Sequence, residues 1–228
     1  NATIRSMKYN GGVEKSLVNE ENLEALKKGI LNLQTHIENM QKYTKNIVVC
    51  LNKFIYDTDA EIKYVSEFCN KLGCEFSVCT SFVNGGVGAL DLAKKIVKVC
   101  ENKVDYQPLY DYNCEIVDKI KIIAKEIYCA RDVEFSEVAL EKIKLYNRDG
   151  YSKLPICIAK TQYSLTDNKN ILGSPRDFVM KVTDVRISNG AGFIVVLMGD
   201  IMTMPGLPKV PAANNIDITE DGKILGLF

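Results

Sequence analysis

The run "NIVVCL" at 46–51 constrains the fold more than any other stretch of this chain. It is continuous, apolar and rich in β-branched residues. A strand without polar alternation is buried on both faces, as strands inside a parallel sheet are. Parallel neighbours need crossovers, and the flanking sequence supplies them. Over 20–43, Leu23, Leu26, Ile30, Leu33, Ile37 and Met40 recur at steps of three and four, the stripe of one long helix. After the run, "DTDAEIKYVSEFCNKLG" reads as an amphipathic helix with an Asp/Thr cap and a stop at Gly73. "CEFSVCTSF" is the next strand, and "VNGGVGALDLAKKIVKVCEN" is a glycine-bearing turn that opens another helix. This alternation builds a parallel sheet with right-handed crossovers, whose ligands sit beyond the carboxyl ends of the strands. Two loops occupy that edge: "LNKFIYDTD" and "CTSFVNGGVG".

The character of the chain then changes. "ENKVDYQPLYDYN" is polar, tyrosine-rich and carries Pro108, which marks a connector. Helices are expected over 115–128 and 136–147. "LPICIAK", "DFVMKVTDVRIS" and "GFIVVLMGD" read as strands, and "ITEDGKILGLF" carries the Asp-Gly signature of a hairpin. Long loops rich in Gly, Pro and Asn lie between them, at 161–175 and 201–215, and such loops are usually functional. The expected fold is therefore α/β. Residues 1–102 form the second half of a P-loop-NTPase-like parallel-sheet domain, and residues 103–228 form a smaller α+β domain.

Charge and cysteine usage exclude several classes. Lys+Arg and Asp+Glu balance at 29 each, so the chain lacks the basic footprint of a nucleic-acid binder. No apolar run reaches the ~18 residues of a membrane span. The eight cysteines contain no C-x-x-C pair, and Cys50 and Cys157 sit inside apolar runs. They read as reduced, buried thiols of a cytoplasmic protein. His36, the only histidine, lies one position off the helical stripe and reads as a surface or boundary residue. The chain opens on Asn1 rather than Met and enters patterned sequence at once, which reads as part of a longer protein.

The two edge loops have the layout of the base-binding half of a GTPase. There an Asn-Lys-x-Asp ends one strand and its Asp reads guanine. Here the third position after Asn52 is Ile55, which cannot make those hydrogen bonds. The phosphate loop G-x-x-x-x-G-K-[ST] is absent from the 228 residues, and "NGGVG" carries no lysine. Phe54 and Phe82 lie on neighbouring loops, and two such aromatics can bracket a flat heteroaromatic ring. Asp57 and Asp59 can accept from its N–H and amino groups. A plainer role also suits these residues, with Phe54 in the core and the aspartates capping a helix.

"KTQYSLTDNKNILGSPRDF", "GAGFIVVLMGDIMTMPGLPKVPAANNIDI" and the terminal "DGKILGLF" closely resemble the C-terminal part of formate–tetrahydrofolate ligase. "ATIRSMKYNGGV", "ENLEALKKGILNLQTHIENMQKY" and "NKFIYDTDAEI" fit the same family, so the resemblance spans the whole chain. It implies an ATP-dependent ligase that makes 10-formyltetrahydrofolate from formate and tetrahydrofolate through formyl phosphate. ATP and Mg²⁺ would be handled by residues upstream, in the rest of the same polypeptide, and homo-oligomers are compatible with it. The family's pterin-stacking phenylalanine corresponds to Phe54, with Asn52 beside it. Its second stacking residue, usually Trp, is Phe82 here, and Val78 lines the same pocket. The family's His-Gly-Gly is Asn10-Gly11-Gly12 in this chain, a departure that carries no role across. Two other readings stay open: a guanine-nucleotide module, and a non-catalytic interaction domain that keeps the fold.

Overall fold

The computed structural model describes residues 1–199, 201 and 210–226. The part of the "MTMPGLPK" loop at 202–209 lies outside the described residues.

Two hydrophobic cores organise the chain. The first begins with helix α1 (Ile4–Asn10) and helix α2 (Leu23–Gln41). These cross so closely that a Cβ on Gly29 would fall 1.7 Å from the Met7 carbonyl oxygen, and one on Gly11 2.0 Å from that of Ala25. Only glycine permits this approach. Strand β1 (Val48–Asn52), helix α3 (Asp59–Lys71) and strand β2 (Glu75–Cys79) follow. The strands pair in parallel, with Asn52 opposite Cys79. Ala2 adds a one-residue parallel bridge on the other side of β1, its N–H donating to Cys50 O and its carbonyl accepting from Asn52 N–H. Ile4, Leu26, Ile30, Leu51, Val65 and Phe76 fill this core. The α2 stripe differs from the expected one at its end. Met40 is exposed, and Asn39 is buried in its place, where it donates to the Ile127 carbonyl at 2.7 Å.

A short helix α4 (Ser81–Asn84), one 3₁₀ turn (Gly85–Ala89) and helix α5 (Leu90–Cys100) complete the first half. The expected strand thus stops at Cys79, and Phe82 lies in α4 rather than at a strand end. Helix α5 is amphipathic yet has no buried residue. It reaches the sheet through polar contacts: Asp91 accepts from the Ser77 hydroxyl at 2.6 Å, and Lys95 donates to the Phe76 carbonyl at 2.6 Å.

The second core is a mixed four-stranded sheet covered by helices α6 (Ile116–Glu126) and α7 (Glu137–Arg148). Its strands are β3 (Asp132–Phe135), β4 (Ile156–Ala159), β5 (Val179–Ser188) and β6 (Phe193–Met198), in the order β3-β5-β6-β4. The β5–β6 hairpin is central, with parallel edge strands on both sides. Ile194, Val196, Met180 and Val185 are fully buried between helices and sheet. Strands β7 (Asp217–Ile218) and β8 (Ile224–Leu225) form the expected small hairpin. All eight cysteines are free, but only Cys69, Cys74 and Cys79 are buried as expected: Cys50, Cys114 and Cys129 are half-buried, and Cys100 and Cys157 are exposed.

The halves meet along α2. Besides the Asn39 bond, Asn32 donates to the Gly173 carbonyl at 2.7 Å, Thr35 and Ser174 share a hydroxyl bond of 2.6 Å, and Lys42 pairs with Glu126 at 3.0 Å.

Candidate functional site

The carboxyl edge of the β1–β2 pair is built by two turns. In the first, Lys53 N–H donates to the Cys79 carbonyl at 3.0 Å, which ties the end of β1 to the end of β2. Phe54 follows, half-buried, with the Arg5 guanidinium 5.0 Å from its ring centroid. One ring face is therefore occupied by a cation–π contact. Ile55 is exposed and offers no polar group. The chain then turns back through Asp57, whose Oδ2 accepts from Phe54 N–H at 2.8 Å.

Asp57 is the least ordinary group at this edge. Its side chain is 7% exposed, and its Oδ1 makes no hydrogen bond. Burial pushes its carboxyl up from the usual carboxylate range, against the pull of the Phe54 N–H. A buried acceptor without a donor is costly.

Beneath the turn lies a buried ion pair. Lys8 Nζ stands 2.9 Å from Glu61 Oε1, and both residues are fully buried. Lys8 also donates to the Glu20 carbonyl at 2.7 Å, and Glu61 accepts from Asn22 N–H at 3.0 Å. Glu61 closes a capping box with Thr58 as well, fixing the start of α3 next to Asp57. One carboxylate thus joins α1, the 11–22 loop and α3. The cap is visible in "TDAE"; the pairing with Lys8 has no sequence signal.

The structure unites some of the expected residues and separates others. Asn52, Phe54 and Asp57 share one turn. Phe82 lies on the adjacent turn at the same edge, 90% exposed and packed against nothing. Asp59 and Val78 line a different feature, a groove of about 440 Å³ between α3 and α5 along the open side of β2. Asp59 is exposed in the first turn of α3 and does not join Asp57. Arg5 is the participant that sequence reasoning missed.

The glycine turn gives no cradle for phosphates. Gly88 is needed for packing, since a Cβ there would meet the Thr80 backbone at 2.5 Å, and no lysine accompanies the turn. No cluster of three or more His, Cys, Asp or Glu suited to a metal occurs among the described residues. The described residues of this turn therefore do not fit the triphosphate of ATP.

A family model for formate–tetrahydrofolate ligase matches residues 1–228, the entire chain. The chain belongs to the formate–tetrahydrofolate ligase family. Members of this family are ligases of tetrahydrofolate one-carbon metabolism that use ATP, and no described helix is long and apolar enough to cross a membrane.

Proposed function

We propose that this chain supplies the folate-binding side of a formate–tetrahydrofolate ligase, which joins formate to tetrahydrofolate through formyl phosphate to give 10-formyltetrahydrofolate. In this reading residues 1–102 are the second half of a P-loop-NTPase-like domain, and 103–228 a smaller α+β domain. ATP and Mg²⁺ activate formate on residues other than these. The observation that carries the reading is the edge itself: two aromatics follow register-matched parallel strands, and a buried carboxylate with one unpartnered oxygen sits beside one of them. Open α/β sheets bind ligands at that position.

Each residue then has a task. The pterin stacks on the face of Phe54 that Arg5 leaves free, and exposed Phe82 closes over it. Asp57 Oδ1 accepts from the amino or ring N–H of the pterin, which relieves the orphaned acceptor. Asn52, at the end of β1, borders the same ring. Asp59 and Val78 line the neighbouring groove, within reach of the ring's outer substituents.

In a ligase assay on the enzyme that contains this chain, Phe54→Ala should weaken tetrahydrofolate binding by roughly 1–3 kcal/mol, about ten- to a hundredfold. The Michaelis constant for ATP should barely move, and Phe82→Trp should be tolerated or mildly favourable. A Phe54→Ala enzyme with a raised ATP constant and unchanged tetrahydrofolate binding would make the turn a base site and refute the reading.

A further inference from the structure

A second recess lies between α1, α2 and the 160–165 segment, with a volume of about 240 Å³. Its wall includes Ser6, Asn32, His36, Lys160, Gln162 and Tyr163. No lining residue is acidic. Lys160 is half-buried and fixed: Nζ donates to the Thr161 carbonyl at 3.1 Å and to the Ser164 carbonyl, and stands 4.9 Å from the Tyr128 ring centroid. Two of its three hydrogens go to these carbonyls, so the charge is held in place at the wall of the recess. The His36 ring, the Ser6 and Tyr163 hydroxyls and the Gln162 amide stand at the exposed rim of the recess, open to solvent and to a ligand.

From this we infer that the recess is an oxyanion site, taking a carboxylate or phosphate group. Fixed positive charge, exposed donors and the absence of acidic lining all favour an anion, and charge-assisted hydrogen bonds are the strong ones. Only Asp167 opposes Lys160 electrostatically, and it lines a different pocket. The electrostatic state of the empty recess agrees. Burial holds the Lys160 ammonium down to about 8, and partial desolvation of its ring together with the Lys160 charge lowers the His36 imidazole from its usual range, although the residue itself is exposed. An anion would relieve both.

The recess and the Phe54 turn both border α1: Arg5 covers Phe54, and Ser6 lines the recess. A ligand stacked at Phe54 and bearing an acidic tail long enough to pass around α1 would place a tail carboxylate here. That assignment to the folate's glutamate tail rests on the reading in the previous section; the oxyanion site does not.

His36, the only histidine, gives a single imidazole Cε1–H proton resonance, which makes it a local reporter. The protein is titrated from about pH 5 to 8 alone, with inorganic phosphate and with γ-linked triglutamate. Saturable movement of the His36 midpoint upwards is expected with a bound anion. Lys160→Met should weaken that binding by at least about tenfold, whereas Lys160→Arg should largely keep it. Phe54→Ala should leave the phosphate response unchanged, which separates this site from the pterin proposal. A response to triglutamate alone supports a tail subsite, and equal responses support a general oxyanion site. A His36 midpoint that neither anion moves, or that moves equally in Lys160→Met, overturns the inference.

Discussion

The two sheets that carry hydrophobic cores differ in how they are covered. The β3-β5-β6-β4 sheet is covered by α6 and α7, and its central strands are sealed. The β1–β2 pair is packed well by α1, α2 and α3 and poorly by α5, which leaves Val83, Val87, Leu90 and Val97 in solvent beside Phe82. Burial of apolar area is the main source of stability, so equal apolar content does not mean equal contribution. The contrast lies on the α5 side: α1, α2 and α3 pack a core like the second one, with the Lys8–Glu61 pair buried in it, whereas α5 is held by polar fastenings.

The largest effect should come from breaking the buried pair of the first core. Glu61→Ala strands Lys8 as an unpaired buried cation and deletes the α3 cap, and should cost about 3–5 kcal/mol. Urea unfolding followed by circular dichroism measures it. A loss under 1 kcal/mol would mean that apolar packing alone holds the first core.

The next largest effect should come from the second core. Ile194→Ala, at a fully buried site on a central strand, should lose about 2–5 kcal/mol in the same assay. Val97→Ser on α5 should change stability by no more than about 0.5 kcal/mol, since that side chain is already in water. Comparable losses at the two sites would erase the difference between the regions.

A further effect, smaller than either core loss, concerns pH. Lys160 has a folded value near 8 against 10.5 in the unfolded chain. The unfolded state therefore binds more protons between these values, and stability should rise as pH goes from about 8 towards 10.5. The gain is lost again as pH falls through 8. Because the side chain is partly solvated, the contribution is about 1–2 kcal/mol after screening. Lys160→Met should flatten this part of the stability-versus-pH curve; an unchanged slope would show that the ammonium is not desolvated.

Much of the fold was legible because its signals are local. The apolar runs gave β1 and β6, the segment "DFVMKVTDVRIS" gave β5, and the helical stripe gave α2. Strand β3 was not legible: "DVEF" alternates two charges with two apolar residues, and only pairing with β5, far along the chain, makes it a strand. The end of α2 was misread for a similar reason. A buried asparagine replaces the expected methionine because a carbonyl from α6's end needs its donor. At the candidate site, the aromatic and acidic residues were visible by type and position. Their grouping was not. Asp57 faces inward and Asp59 outward because the Thr58 cap turns the backbone between them. Arg5 reached Phe54 only through the Ala2 bridge, a contact that sequence spacing cannot encode.

Helix α2 carries a consequence for how the molecule can be divided. It precedes the connector in the chain, yet three of its polar side chains hold segments that follow it. The break in covalent order near 103 and the seam between packed bodies are thus different places. Severing the backbone at the connector would leave two pieces still clasped along α2. A clean excision of the second core would uncover the amides of Asn32 and Asn39, groups that were solvent-shielded only because a neighbour stood there.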